Sequence, residues 1–370
     1  MKKLSVKLLV EITYITILVT CSIIFTRYTI LHTEPQDFNV YYDSAKTALH
    51  GGLIYNIYGP AKLPYWYFPW VAWAYIPLAF FSQQTAYIIY TTVSLLSALA
   101  SIYFLAKKML TSTNLLNVLF IFSMSLLLCW LLFRVGQMDF ILLAITTLTI
   151  YLIDAKRPFQ AGLLIPIFLF KPHLFIIFFP YALLKGGKSF FFSALLTTLT
   201  LISISFIVIP DWPFQMLRLL GESGQRTDNI WNFTTLPTML NAQENWSGTA
   251  NLPFTFALIL IGFFAIWSVR KLQTFPVLSM ALAASLFSAP RAYSYNFPIL
   301  IPALIWLSSG LPKTLFLLLW TAVGTLPFLF HFSTGMYSIV IFVFVIGIVK
   351  ATIQLREIGK AKFSTIEEST

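Results

Sequence analysis

Apolar runs of about 18 residues or more recur along almost the whole chain, each long enough to cross a bilayer as a helix. That recurrence decides what the chain can fold into. Runs such as 115–133 and 189–209 do not alternate polar with apolar positions, so they do not read as strands of a membrane barrel. Of 370 residues, 58% are hydrophobic and 10% are charged. A soluble domain carries roughly 25% charged residues. Mean hydropathy is +0.81. The expectation is an all-α polytopic membrane protein, one integral membrane domain over 1–370, with about a dozen spans.

The expected spans are 8–30, 84–106, 115–133, 138–153, 160–170 paired with 173–184, 189–209, 252–269, 274–289, 297–309, 313–331 and 335–351. The start, MKKLSVK and a long apolar run, reads as a retained first span. Segment 160–184 is too long for one span and too short for two. Lys171-Pro172 lies in its middle, so two short helices are expected to meet there at a broken turn. Such backbone is tolerated at depth only where it lines protein or a wet cavity.

The net charge of +11 does not point to nucleic acid, because the cations sit in short loops at span ends. With the N-terminus inside, the cytoplasmic side receives Lys2, Lys3, Lys7, Lys107, Lys108, Lys156, Arg157, Lys185, Lys188, Arg270, Lys271, Lys313, Lys350, Arg356, Lys360 and Lys362. Counting the apolar stretch 66–81 as a span would put Lys107, Lys108 and every later cluster outside. It is therefore placed at the outer surface, where its aromatics suit the headgroup level. The long connections, 31–83 and 210–251, then fall outside, and 352–370 is a short cytoplasmic tail. Long loops in a compact body are usually functional. The expected location is the plasma membrane, with both termini cytoplasmic and the working face extracytoplasmic.

Three cations escape the rule. Arg134, Lys171 and Arg291 are expected at outer helix ends, each beside a turn or proline signal. A cation beside hydrocarbon needs a partner. A bound phosphate would serve all three; snorkelling or pairing with an external Asp is the alternative. Carboxylates are as sparse. Asp37, with Asp43 six residues on, is a candidate general base or a helix cap. Asp139 follows Gly136-Gln137 at the outer start of a span, where an acid also suits the helix dipole. His173 is scaffolding or a phosphate contact. Cys21 and Cys129 both fall in apolar runs, with no metal spacing. No metal or nucleotide motif is present in the sequence, so no cofactor is expected.

The motifs, taken in order, resemble glycosyltransferase family 87, the polyprenol-phosphate-mannose-dependent mannosyltransferases of the membrane-embedded GT-C fold. The residues are Asp37-Phe38-Asn39-Val40-Tyr41-Tyr42, Gly51-Gly52 with Tyr55, Tyr67-Phe68-Pro69-Trp70, Gly136-Gln137 with Asp139, Ala161-Gly162, Lys171-Pro172, and Ala289-Pro290 through Pro302. Where mannosyltransferases of the family often carry paired histidines, this chain has Tyr295 and Asn296, preceded by Arg291. The resemblance implies a polyprenyl phosphate hexose as donor and a glycolipid or glycan as acceptor. It implies Asp37, or else Asp43, as the base of an inverting transfer. Arg134, Lys171, His173 and Arg291 would face the donor phosphate. Tyr41, Tyr42, Tyr67, Gln137, Asp139, Tyr295 and Asn296 would line the substrates, and membrane lipids would surround the body. A transporter or flippase of a lipid-linked glycan would use the same cations without chemistry.

Overall fold

A computed structural model of the chain describes residues 6–32, 34–56, 63–110, 115–222, 252–290, 292–329 and 332–367. Among them every regular element is helical. The first is α1 (Val6–His32), followed by two short helices, α2 (Gln36–Leu49) and α3 (Pro69–Ala79). Next come α4 (Gln83–Met109), α5 (Leu115–Leu128), α6 (Trp130–Val135) and α7 (Asp139–Asp154). Two fragments, α8 (Pro158–Gly162) and α9 (Ile165–Phe168), and a 3-10 turn at Pro172–Phe175 lead into α10 (Phe178–Val208) and α11 (Trp212–Glu222). The rest are α12 (Leu252–Val269), α13 (Thr274–Ser288), a 3-10 segment Ser294–Leu300, α14 (Ile301–Ser308), α15 (Lys313–Leu329) and α16 (Phe332–Glu367).

Among the described residues four stretches are long and apolar enough to cross a membrane: Ile12–His32, Gln83–Met109, Phe178–Val208 and Gly335–Ala361. Shorter apolar helices include Leu115–Leu128, Pro253–Val269, Thr274–Ser288 and Tyr295–Ser308. Stretch 66–81 contains only the 11-residue α3, about 16 Å long and too short to cross. Pro69 opens it, where the missing N–H costs nothing.

The irregular region of 160–184 breaks where Lys171-Pro172 stands, and its first half is itself two fragments. The second half runs on into the next expected span. Gly187, with φ 66 and ψ −159, kinks the continuous run Phe178–Val208 between them. The broken entry to α10 exposes backbone donors at depth, and Ser285 of α13 meets them. Its hydroxyl oxygen accepts from Ile177 N and Phe178 N, each at 3.0 Å. At the C-terminal end α16 continues through Glu367, so the tail expected over 352–370 is helical as far as that residue. Its residues after 351 lose hydropathy but keep good helix formers.

Apolar side chains cover the outside as well as the core, unlike in a soluble protein. Large apolar side chains face outward on α1 (Ile24), α10 (Phe192), α12 (Phe264) and α16 (Val349). Small hydroxyls lie inside, among them Ser94, Ser123, Ser125 and Ser279. Apolar burial gains little between helices in lipid, so close contact of small residues carries the association. Gly162 shows the requirement: a Cβ there would collide with the Ser193 side chain and the Phe190 carbonyl of α10.

Asp139 opens α7 and Asp154 closes it, about 22 Å apart at the helical rise. At the Asp154 end, Lys108 pairs with that carboxylate. At this end also, Lys185 donates to the carbonyls of Arg270 and Leu272, just past α12. Lys350 likewise donates to Trp306, Leu307 and Ser309 at the end of α14. Each lysine satisfies carbonyls that a helix C-terminus leaves unpaired. A cavity of ≈ 730 Å³ lined by Lys108, Asp154, Gln273, Trp306 and Glu357 opens here. The opposite end holds the site.

Candidate active site

The site is assembled from the starts of α2 and α7, the turn before α3, the break after α9, and the 3-10 segment before α14. Its hub is the turn Gly136-Gln137-Met138-Asp139. Gly136 closes α6 with φ 78, a left-handed conformation that glycine adopts freely. A Cβ there would lie 2.5 Å from Phe38 Cβ and 3.0 Å from Pro35 Cβ. The glycine thus lets the first turn of α2 sit directly on the hub. Asp37 and Tyr41, four residues apart, share one face of α2.

From Asp37 a chain of hydrogen bonds runs inward. Gln137 Nε2 donates to Asp37 Oδ2 at 2.6 Å. Tyr41 OH donates to Gln137 Oε1 at 3.2 Å, and the Tyr41 and Tyr67 hydroxyls are 3.3 Å apart. Tyr55 OH holds the Tyr67 carbonyl at 2.8 Å. Among the described residues nothing donates to Asp37 Oδ1. Burial pushes the Asp37 carboxyl above the ordinary 3.8, against the Gln137 hydrogen bond and the Lys171 charge, which pull it down.

A second network surrounds Asp139. Lys171 Nζ donates to its Oδ2 at 2.6 Å and Asn296 Nδ2 donates to its Oδ1 at 2.8 Å. The pair is sequestered, with side-chain exposures of 7% and 0%. Asn296 also accepts from Tyr293 N at 2.8 Å, which ties the segment after α13 to the Asp139 carboxylate. The Lys171 ammonium lies 4.8 Å from the Tyr295 ring centre and 5.5 Å from that of Phe170. Phe170 stacks on Tyr67 at 4.4 Å, so the two networks share a wall. Asp139 is thus a partner of Lys171 as well as the first residue of a helix.

Of the residues singled out by sequence, Asp37, Tyr41, Tyr67, Gln137, Asp139, Lys171, Tyr295 and Asn296 come together. Arg134, Asp43 and Tyr42 do not join them. Arg134 is exposed, 5.8 Å from the Trp130 ring centre. Asp43 lies about 240° around α2 from Asp37, half-buried, with Lys46 the nearest opposing charge and burial raising its carboxyl. Tyr42 OH donates to the Phe81 carbonyl at 2.7 Å, pinning α2 beside the end of α3. His173 is half-buried on the turn that follows Lys171. Arg291 lies outside the described residues. Phe170 and Ser285 were not singled out; only the place of Phe170 before Lys171-Pro172 hinted at its role. Among the described residues no three His, Cys, Asp or Glu gather as a metal site would need.

A carboxylate with one oxygen unpartnered among the described residues, a buried cation and tyrosine rings are parts that suit acid–base work on a polyhydroxy substrate. Comparison with family descriptions supplies the class: a glycosyltransferase, here in a body of membrane-spanning type. The chain belongs to glycosyltransferase family 87, whose model matches residues 65–292, more than half of the 370. That match covers Tyr67, Gln137, Asp139 and Lys171; Asp37, Tyr295 and Asn296 lie beyond its limits. No curated protein and no solved structure matches the chain.

Proposed function

We propose that this membrane glycosyltransferase moves a hexose, mannose-like, from a polyprenyl phosphate sugar to a glycolipid or glycan acceptor. Transfer takes place with inversion at the outer face of the plasma membrane. The observation that carries the reading is Asp37, held through Oδ2 at 2.6 Å while nothing among the described residues donates to Oδ1, with the charge of a buried lysine nearby. The acceptor oxygen attacks the anomeric carbon as the bond from that carbon to the phosphate oxygen breaks. The acceptor proton passes to Asp37 Oδ1, and the bond's electron pair leaves on the polyprenyl phosphate, which gains negative charge. One carboxylate suffices because the phosphate is already a good leaving group, unlike the paired acids of glycoside hydrolysis.

Among the described residues Lys171, whose charge acts on Asp37, is the cation that would stabilise that developing charge. The rings of Tyr67 and Tyr295 would flank the sugar. An open apolar groove of ≈ 520 Å³, lined by Pro253, Thr255, Phe256, Ile259 and Pro290, is of a kind that would take a polyprenyl tail. The chemistry calls for no metal and no cofactor. The orientation rests on cations crowding the Asp154 end, which the positive-inside rule makes cytoplasmic. It fits about twelve crossings of a GT-C-type bundle, counting α8–α9 and the first part of α10 as one short span each.

The test is transfer from a labelled polyprenyl phosphate hexose by purified protein into acceptor pools, wild type against Asp37→Asn. Wild-type transfer that Asp37→Asn abolishes is the expected result. No transfer to any pool sinks the enzyme reading, and a fully active Asp37→Asn sinks the base assignment. Cysteines introduced at Lys185 and Ser247 should label from opposite sides of the membrane; labelling from one side overturns the orientation.

A further inference from the structure

Donor and acceptor chemistry fixes the direction of every bond around Asp37. An ionised carboxylate only accepts, so the group that Gln137 turns toward Oδ2 at 2.6 Å is its Nε2 amide. The other end of the same amide, Oε1, only accepts, so Tyr41 donates to it. A phenol has one proton. Having given it to Gln137, Tyr41 receives at its oxygen from the Tyr67 hydroxyl at 3.3 Å. The chain therefore runs one way, from Tyr67 through Tyr41 and Gln137 to Asp37. Its middle cannot turn aside. Tyr41 is fully buried, with its ring against Tyr67, Tyr75 and Phe170. Tyr67, the donor end, is only partly buried and keeps a lone pair to accept from outside.

We propose that Tyr67, Tyr41 and Gln137 are positioning residues that form a directional hydrogen-bond relay, holding Asp37 ionised with Oδ1 turned to the acceptor. The inference rests on the base assignment made above. In it Gln137 engages Oδ2, which leaves Oδ1 as the oxygen offered to the acceptor proton. The Tyr67 oxygen is where a hydroxyl of the bound sugar would join the relay, since a donor there would polarise the whole chain toward Asp37. The relay thereby couples occupancy of the Tyr67–Phe170 wall to the readiness of a carboxylate on a different helix.

The decisive variant is Tyr41→Phe, which keeps the ring packing and removes the hydroxyl. Gln137 then loses the bond that orients its amide, and the support for ionised Asp37 weakens. The pH profile of transfer should show kcat down about tenfold with KM unchanged, and its acid limb raised by about one pH unit. Gln137→Glu places a second carboxyl against Asp37 and should raise the limb further, because two carboxylates at that distance share a proton. Infrared titration of the carboxyl band that disappears in Asp37→Asn gives a readout independent of turnover, and its midpoint should rise in Tyr41→Phe. An acid limb and an infrared midpoint unchanged in Tyr41→Phe overturn the relay, even if kcat or thermal stability falls. If Gln137→Glu does not fold, Tyr41→Phe decides alone. If wild type transfers no sugar, the functional reading falls and the infrared midpoint still decides the relay.

Discussion

Helix α7 carries an acid at each end, and each acid has a lysine. Asp139 meets Lys171 at 2.6 Å with both side chains almost wholly covered. Asp154 meets Lys108 at 3.0 Å with 28% and 48% of the side chains exposed. The chemistry is the same and the meaning differs. At the Asp154 end, water screens both charges and either side chain can find other partners. At the Asp139 end water is shut out, Asn296 fills the second carboxylate oxygen and two rings flank the ammonium. A buried pair of this kind is weak evidence for stability, because desolvation offsets most of the attraction. What such a pair does secure is a charged group held at a set place in an apolar body.

The comparison breaks most sharply if the buried pair is split. Lys171→Met leaves Asp139 buried and unpaired, and should lower unfolding stability by about 3–5 kcal/mol. Thermal or denaturant unfolding in detergent reads this. Adding Asp139→Leu should return most of the stability and none of the transfer activity. Stability unchanged in Lys171→Met would mean that the ammonium and carboxylate are already solvated, contrary to the geometry.

Asp37 sharpens the contrast from the functional side. Asp37→Asn should cut transfer by about 10²–10⁴-fold, the usual contribution of a general base. Stability should not fall with it. A carboxyl whose folded pKa lies above 3.8 loses folding stability as pH rises from 3.8 through that folded value, and stays at the reduced level above it. A neutral amide removes this loss, so at neutral pH Asp37→Asn should be as stable as wild type or slightly more so. The wild-type rate should fall on acidification with a midpoint above 3.8, as Asp37 takes up its proton.

Much of this was legible in the sequence, and what was not has a physical reason. Span positions follow from hydropathy, which is local: 252–269 was expected and Leu252–Val269 is found. The break at Lys171-Pro172 follows from proline chemistry. The contacts across the site do not. Gln137 meets Asp37 across 100 residues and Asn296 meets Asp139 across 157, and no local pattern encodes such pairings. Lys171 was weighed as a phosphate ligand or as a partner of an external Asp, and its pairing with Asp139 needed three dimensions. Asp43 need not have stood beside Asp37, because six residues on a helix turn a side chain to another face. The extension of α16 was missed because hydropathy marks where lipid ends, not where a helix ends.

Gly136 sits between the two behaviours, buried at the site and carrying no charge. Gly136→Ala must place a side chain at φ 78 and force Phe38 and Pro35 away from the hub. The expected loss is about 1–3 kcal/mol of stability. Transfer should fall as well, since the same displacement carries Asp37 off Gln137. Loss of stability with transfer intact would show that α2 tolerates the shift.

The smallest effect belongs to the exposed pair, and it is the control that gives the others meaning. Lys108→Ala removes an ion pair whose lysine side chain is 48% exposed, and such pairs contribute roughly 0–1 kcal/mol. Asp154 lies in the last turn of α7, where an acid opposes the helix dipole, so its lysine offsets an unfavourable placement. Raised salt should erase what little the pair contributes, while leaving the cost of Lys171→Met almost unchanged, because buried charges are screened far less. If Lys108→Ala cost as much as Lys171→Met, and the cost survived high salt, burial would not be what separates the two ends of α7.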